Sequence, residues 1–146
     1  MKKLIFYFLF FCLIILNCNT KKIIYKEIEE YQIVKIDIIN DWYIIYAVRN
    51  DNKYKIVSSK NNSLTFCNKI SEGNSYILKL ASRSENAPTI NGVKLTPINP
   101  CSVQCYSFDS KTDICIEPEN GIYDLYFCEN LKGLCIIENI SNKKIE

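Results

Sequence analysis

The stretch that decides the fold spans residues 41–60 and reads Asp-Trp-Tyr-Ile-Ile-Tyr-Ala-Val-Arg-Asn-Asp-Asn-Lys-Tyr-Lys-Ile-Val-Ser-Ser-Lys. In an extended chain, its first half presents apolar residues on both faces, with Trp42, Ile44, Tyr46 and Val48 on one and Tyr43, Ile45 and Ala47 on the other. Asn50-Asp51-Asn52 supplies a turn, because short Asn and Asp side chains tolerate positive φ. The pattern predicts a β-hairpin whose first strand is central and covered on each side.

Strands are also predicted on either side of this hairpin. Residues 31–39 and 75–80 alternate apolar with charged or polar side chains, which is typical of a strand with one wet face. Residues 22–30 are ambiguous, since their apolar residues have helical spacing. Residues 81–100 are rich in Ser, Asn and Pro and are predicted to be a long surface loop with a small excursion at 93–95.

The C-terminal third predicts a second hairpin. Residues 113–117 and 122–127 flank Pro118-Glu119-Asn120-Gly121, and Asn-Gly is a strong turn signal. The fold class is therefore all-β, a small antiparallel barrel or a sandwich with a disulfide-rich C-terminal hairpin. The strand order as far as Leu80, with a turn at Gly73, is similar to that of the oligomer-binding (OB) barrel.

The chain begins with a segment that is not part of this fold. Met1-Lys2-Lys3 precedes an unbroken apolar run at residues 4–16, which is too short for the ~20 residues of a membrane-spanning helix. A basic start and a short apolar core are typical of an export signal. Ile15-Leu16-Asn17-Cys18 resembles the lipobox of bacterial lipoproteins, which implies acylation of Cys18. The alternative is an ordinary secretory signal with Cys18 as a structural thiol.

This interpretation divides the chain into four parts. Residues 1–17 are the signal peptide, 18–30 a tether, 31–137 a single β domain and 138–146 a disordered tail. The signal holds two of the 18 basic residues and no acid, so the mature chain has 16 of each sign and no net charge. The composition therefore excludes a nucleic-acid partner, and the membrane is expected to hold the protein through lipid alone.

Catalytic residues are not predicted. The chain contains no histidine, which removes the commonest general base and the commonest metal ligand. No phosphate-binding glycine motif occurs, and neighbouring carboxylates such as Glu29 and Glu30 are interpreted as solvated surface. No metal and no cofactor are predicted.

The cysteines predict disulfides. Six remain after Cys12 of the signal and the acylated Cys18 are set aside: Cys67, Cys101, Cys105, Cys115, Cys128 and Cys135. An even number in an exported chain predicts three bridges, at least one of which ties Cys67 to the C-terminal third and holds the second hairpin against the first. Cys128 and Cys135 are a candidate local pair. A metal site of Cys101, Cys105, Cys115 and Cys128 is the poorer alternative, since Cys101 and Cys105 have three residues between them instead of the two of zinc ribbons and no second pair matches.

The aromatic residues of the first hairpin are candidate binding residues. Trp42, Tyr43, Tyr46 and Tyr54 offer large, rigid contact area with polar tips, as binding surfaces often do. The alternative is that they pack the core.

The sequence thus predicts a lipid-anchored protein of the bacterial cell envelope, in the outer membrane or at the surface, that is not an enzyme. It would bind a protein or a saccharide, in the manner of inhibitor or immunity lipoproteins. A small envelope enzyme using carboxylates, a structural component of an envelope assembly and a secreted protein are the alternatives.

Overall fold

The computed structural model of the protein describes residues 23–24, 28–62, 66–90, 93–94 and 104–137. Within these ranges most residues are in strands, with single turns of 3-10 helix at Lys60–Asn62 and Pro118–Asn120. The all-β prediction is confirmed. The strands are β1 (Ile28–Ile39), β2 (Trp42–Arg49), β3 (Asn52–Ser59), β4 (Asn68–Lys69), β5 (Ser75–Ser82), β6 (Thr89–Ile90), β7 (Val93–Lys94), β8 (Cys105–Asp109), β9 (Thr112–Cys115), β10 (Leu125–Cys128), β11 (Leu131–Lys132) and β12 (Cys135–Ile136).

The predicted first hairpin is confirmed. β2 and β3 pair antiparallel over their whole length, from Trp42 opposite Ser59 to Arg49 opposite Asn52. The two residues between the strands, Asn50 and Asp51, have φ of 48° and 61°. Positive φ at both positions gives the turn the twist that a tight hairpin requires, and Asn and Asp adopt it at low cost.

Five strands close into a barrel in the order β1-β2-β3-β10-β5. Four of the neighbouring pairs are antiparallel, and β10 runs parallel to β3. The last barrel strand is thus inserted between the third and the fourth, as in a Greek-key barrel of the OB type. The protein is therefore a small barrel and not the alternative sandwich.

The first strand bends and pairs with a different barrel strand along each of its two halves. The Ile28–Gln32 end of β1 pairs with β5, and the stretch from Gln32 to Ile39 pairs with β2. The register shifts between Ile33 and Lys35, where a bulge turns the strand. β1 begins at Ile28, inside the predicted tether, because pairing with β5 overrides the helical spacing of that segment.

Two apolar clusters lie on opposite faces of β2. The inner cluster fills the barrel, and the outer cluster joins Ile44 and Val57 to Ile114 and Ile116. The central position predicted for the first hairpin is confirmed, since both faces of β2 are covered. The buried members of the inner cluster are Tyr31, Ile33, Ile45, Ala47, Tyr54, Ile56, Ile70, Leu78, Leu80 and Leu131.

The prediction of the second hairpin is wrong in its pairing. β9 pairs with β8 across a turn at Ser110 and Lys111, while β10 joins the barrel. The predicted turn is present, since Gly121 has φ 78° and Glu117 pairs with Ile122 across it. The following strand departs because it pairs with barrel strands on both edges, and its Tyr126 and Cys128 pack against the inner cluster.

Two disulfides join cysteines of the described ranges, Cys67–Cys135 and Cys105–Cys115. The predicted link from Cys67 to the C-terminal third is confirmed. The predicted pair Cys128–Cys135 is wrong, because β12 pairs with β4 and so places Cys135 beside Cys67.

The Cys67 bridge also has a different role from the predicted one. It joins β4 to β12, whereas the β8–β9 hairpin is held by packing in the outer cluster.

Cys128 carries a free thiol, so the three-bridge prediction is wrong for this residue. Its Sγ donates a hydrogen bond to Asn130 Oδ1 at 3.2 Å, and burial raises the pKa of the thiol to about 12. A thiol that ionises so reluctantly is a poor nucleophile. Cys101 lies outside the described residues, and Cys105 and Cys115, two of the four cysteines of the alternative metal site, are joined in a disulfide.

The predicted signal peptide, Cys18 and the tail at residues 138–146 also lie outside the described residues. In the part of the chain that is described, no helix has the length and apolar character that crossing a membrane requires.

Candidate functional site

Three clefts with charged and aromatic linings open on the described surface, and we name each after one residue. The Tyr46 cleft has a volume of about 320 Å³ and is lined by Val34, Lys35, Tyr46, Ala47, Val48, Lys53, Tyr54, Glu117, Asn120 and Ile122. The Trp42 cleft, about 350 Å³, is lined by Asn40, Asp41, Trp42, Ser59, Asn61, Asp109, Ser110, Lys111 and Thr112. The Arg83 cleft, about 170 Å³, is lined by Arg83, Ser84, Asn86, Ala87, Pro88, Tyr106 and Phe127.

A buried ion pair supports the Tyr46 cleft. Lys55 on β3 is only 4% exposed, and its ammonium pairs with Glu117 and donates to the carbonyl oxygen of Cys115 at 2.8 Å. The Tyr46 hydroxyl donates to Glu117 Oε1 at 2.9 Å, and Asn120 Nδ2 donates to Oε2 at 3.2 Å. Glu117 therefore accepts from three side chains and fixes the wall of the cleft.

The electrostatics of this network keep Glu117 and Tyr46 each in one protonation state. Burial acts to raise the pKa of Glu117, but the hydrogen bonds from Lys55, Tyr46 and Asn120 outweigh it and hold the pKa below its ordinary value. Burial, followed by the hydrogen bond to Glu117, raises the pKa of Tyr46, which keeps the phenol a donor. The carboxylate is thus charged and the phenol neutral at ordinary pH.

Tyr46 also lies close to two lysine ammoniums. The Nζ atoms of Lys35 and Lys55 are 5.6 Å and 5.5 Å from the centre of its ring, within the range of cation–π attraction. Lys35 also pairs with Asp37 at 2.6 Å, in an exposed position. Lys53 adds a further exposed cation to the lining. The cleft therefore combines apolar walls with an excess of positive charge.

The Trp42 cleft contains a structural contact between the two hairpins. Trp42 Nε1 donates to Asp109 Oδ2 at 2.7 Å, and the indole meets Phe108 edge to face at 5.0 Å. The hydrogen bond from Trp42, followed by that from the Lys111 amide, lowers the pKa of Asp109. The Asp109 carboxylate is thereby committed to holding β8 and its turn against β2.

The predicted aromatic binding residues divide between the two faces. Tyr43 packs against the inner cluster and Tyr54 belongs to it, as the core-packing alternative requires. Tyr54 meets the rings of Tyr31 at 5.0 Å and Tyr126 at 5.2 Å, although it also borders the Tyr46 cleft. The structure therefore does not bring the four together on one surface, since Trp42 and Tyr46 lie on the outer face and line separate clefts.

Sequence reasoning missed the Arg83 cleft altogether. The centre of the Arg83 guanidinium lies 4.4 Å from the ring centre of Tyr106, 5.2 Å from that of Phe108 and 6.0 Å from that of Phe127. These residues come from the end of β5, from β8 and from β10, and Arg83 itself falls in the predicted surface loop. No local signal could have assembled them.

Asp124, which lines none of the three clefts, also has a structural role. Asp124 accepts hydrogen bonds from the hydroxyls of Ser82 and Ser84 and from the amides of Ser84 and Leu125. Among the described residues, no group of three or more Cys, Asp and Glu side chains gathers in a way that could hold a metal ion. What the clefts offer chemically is recognition by charge, hydrogen bonding and aromatic contact.

Comparison with protein-family models, with curated proteins and with solved structures finds no match to this chain. The fold and the clefts therefore carry the functional argument alone.

Proposed function

We propose that the protein is a binding module of a bacterial cell envelope, held there by lipid on Cys18, and that it recognises a protein or a saccharide through the surface of its barrel. An inhibitor or immunity protein that neutralises a hostile enzyme is the sharper form of the proposal. A lipid anchor would keep such a module where an incoming enzyme is met.

The observation that carries the proposal is the Tyr46 cleft. Its volume of about 320 Å³ falls in the range of sites that take a ligand group, and its apolar walls are accompanied by few, well-fixed polar groups. Tyr46 is held by Glu117, and the buried Lys55 supports both. A rigid wall loses little entropy on binding, which favours recognition.

The membrane part of the proposal has its own test. In cells of the source organism, Cys18→Ser should move the protein from the membrane pellet to the soluble fraction or leave its signal uncleaved, because no acyl chain could then be attached. Fractionation and intact mass of the mature protein measure this. A wild-type protein that is soluble and carries no acyl mass would refute the anchor.

Partner capture from detergent-solubilised envelopes tests the binding part. The full-length protein should recover one partner in stoichiometric amount, and Lys53→Glu should reduce recovery about tenfold by reversing a charge in the Tyr46 cleft. Lys69→Glu is the matched control, since Lys69 is exposed on β4 and lines none of the three clefts. Equal recovery with both variants would contradict the proposed site.

The alternatives predict different outcomes. A structural component would be recovered with many copies of an assembly, and its recovery would not depend on Lys53. An enzyme using carboxylates would show turnover that is lost when Glu117 or another single carboxylate is changed. The structural hydrogen bonds of Glu117, Asp109 and Asp124 argue against the enzyme.

A further inference from the structure

We propose that the Arg83 cleft receives an acidic side chain of a partner protein, whose carboxylate binds the guanidinium of Arg83. The inference deepens the proposed binding function and rests on it. It concerns a second cleft that shares no lining residue with the Tyr46 cleft.

The guanidinium is already fixed before any ligand arrives. It lies 4.4 Å from the ring centre of Tyr106, with Phe108 and Phe127 at 5.2 and 6.0 Å. Aromatic contact of this kind restrains the planar guanidinium while leaving its N–H donors for a bidentate acceptor. A carboxylate is the acceptor that matches those donors in geometry and charge.

No carboxylate of the described chain pairs with Arg83. Arg49, the other arginine, is paired with Glu29. Asp124 lies nearby, because its charge and that of Arg83 both act on the hydroxyl of Tyr106. Its oxygens, however, accept hydrogen bonds from Ser82, Ser84 and Leu125. Asp124 is thus hydrogen-bonded to other donors, and Arg83 has no carboxylate partner among the described residues and can bind an external anion.

The size and lining of the cleft favour a side chain over a saccharide. Its volume of about 170 Å³ is below the ~300–1,000 Å³ of sites that enclose a small molecule. The polar lining is already engaged, because the Asn86 amide bonds to Ile24 and Ser82 and the Ser84 hydroxyl donates to Asp124. Sugar hydroxyls would find few partners, whereas the methylenes of a glutamate would meet Pro88, Ala87 and the aromatic rings.

Nuclear magnetic resonance titration of the mature full-length protein tests the site with a defined probe. N-acetyl-glutamate α-methylamide should shift the Arg83 side-chain N–H signal and the Tyr106 ring signals saturably, with half-saturation at about 1–10 mM. Arg83→Lys should weaken binding at least about fivefold, because it keeps the charge and loses the bidentate donors. Arg49→Lys is the matched control and should bind the probe as the wild type does.

Three results would overturn the proposal: no saturable shift, equal binding by Arg83→Lys, or tighter binding of glucuronate, a saccharide acid, than of the glutamate probe. Unchanged amide spectra of the variants establish that they are folded. The probe binds without any partner protein, so failure of the proposed function can be distinguished from failure of the Arg83 site. In that case the probe still binds while envelope capture recovers nothing.

Discussion

Removing the Cys67–Cys135 disulfide, in the variant Cys67→Ser/Cys135→Ser, should lower the free energy of unfolding by about 4 kcal/mol. The two cysteines are 68 residues apart, so the bridge closes a long loop and strongly restricts the unfolded chain. The bridge also holds β12 against β4, and Cys135 is fully buried. Since small domains have only ~5–15 kcal/mol in total, this loss would remove between about a quarter and four-fifths of the stability.

The second disulfide provides the matched control. Cys105 and Cys115 are 10 residues apart, so Cys105→Ser/Cys115→Ser should cost less, about 3 kcal/mol by the same loop-entropy argument. Urea unfolding of both double variants without reductant measures the two losses. A larger loss from the short loop than from the long one would show that loop closure is not the dominant effect.

Breaking the buried Lys55–Glu117 pair should have the next largest effect. Glu117→Leu leaves the buried ammonium of Lys55 with the Cys115 carbonyl as its remaining acceptor among those described here. Breaking a buried pair from one side costs ~3–5 kcal/mol, and because the Glu117 side chain is 23% exposed we expect about 3 kcal/mol. The double variant Lys55→Met/Glu117→Leu should recover most of this loss, since no charge is then left unpaired.

A surface pair controls for loss of a carboxylate as such. Glu129 pairs with Lys79, with 36% and 30% of the two side chains exposed, and Glu129→Leu should cost less than about 1 kcal/mol. Urea unfolding at pH 7 compares the three variants. Two results would contradict a stabilising role of the buried pair. One is that Glu117→Leu loses no more free energy of unfolding than Glu129→Leu, and the other is that the double variant is less stable than Glu117→Leu alone.

The same pair makes stability depend on pH in a defined direction. The pKa of Glu117 is lower in the folded protein than in the unfolded chain, where a glutamate titrates near ~4.3. Its contribution is therefore fully present above that unfolded value and is lost as pH falls through the folded value. Urea unfolding between pH 7 and 3 should show that the free energy of unfolding falls less for Glu117→Leu than for the wild type. An equal fall in both proteins would exclude a contribution of Glu117 to the pH dependence.

Local chemistry determined the first hairpin. The alternation from Trp42 to Val48 and the turn at Asn50 and Asp51 depend only on neighbouring residues, so the sequence alone predicts the pairing of β2 with β3 and the burial of both faces of β2. Counting cysteines by position likewise predicted that Cys67 reaches the C-terminal third, because that prediction needs no geometry.

Tertiary structure decided what depends on distant partners. β10 follows a correctly predicted turn, yet it pairs with β3 and β5 and not with β9, because Tyr126 and Cys128 pack against the inner cluster of the barrel. The partner of Cys135 is set by the pairing of β12 with β4, which no spacing encodes.

The candidate sites show the same division. Tyr46 was predicted as a binding residue from its strand, but its carboxylate partner Glu117 is 71 residues away and was not. The Arg83 cleft was not predicted at all, because the arginine and its aromatic neighbours lie on segments distant in sequence that only tertiary packing brings together. Strand periodicity and turn chemistry are local properties of the chain, whereas the meeting of charged and aromatic side chains is a consequence of packing.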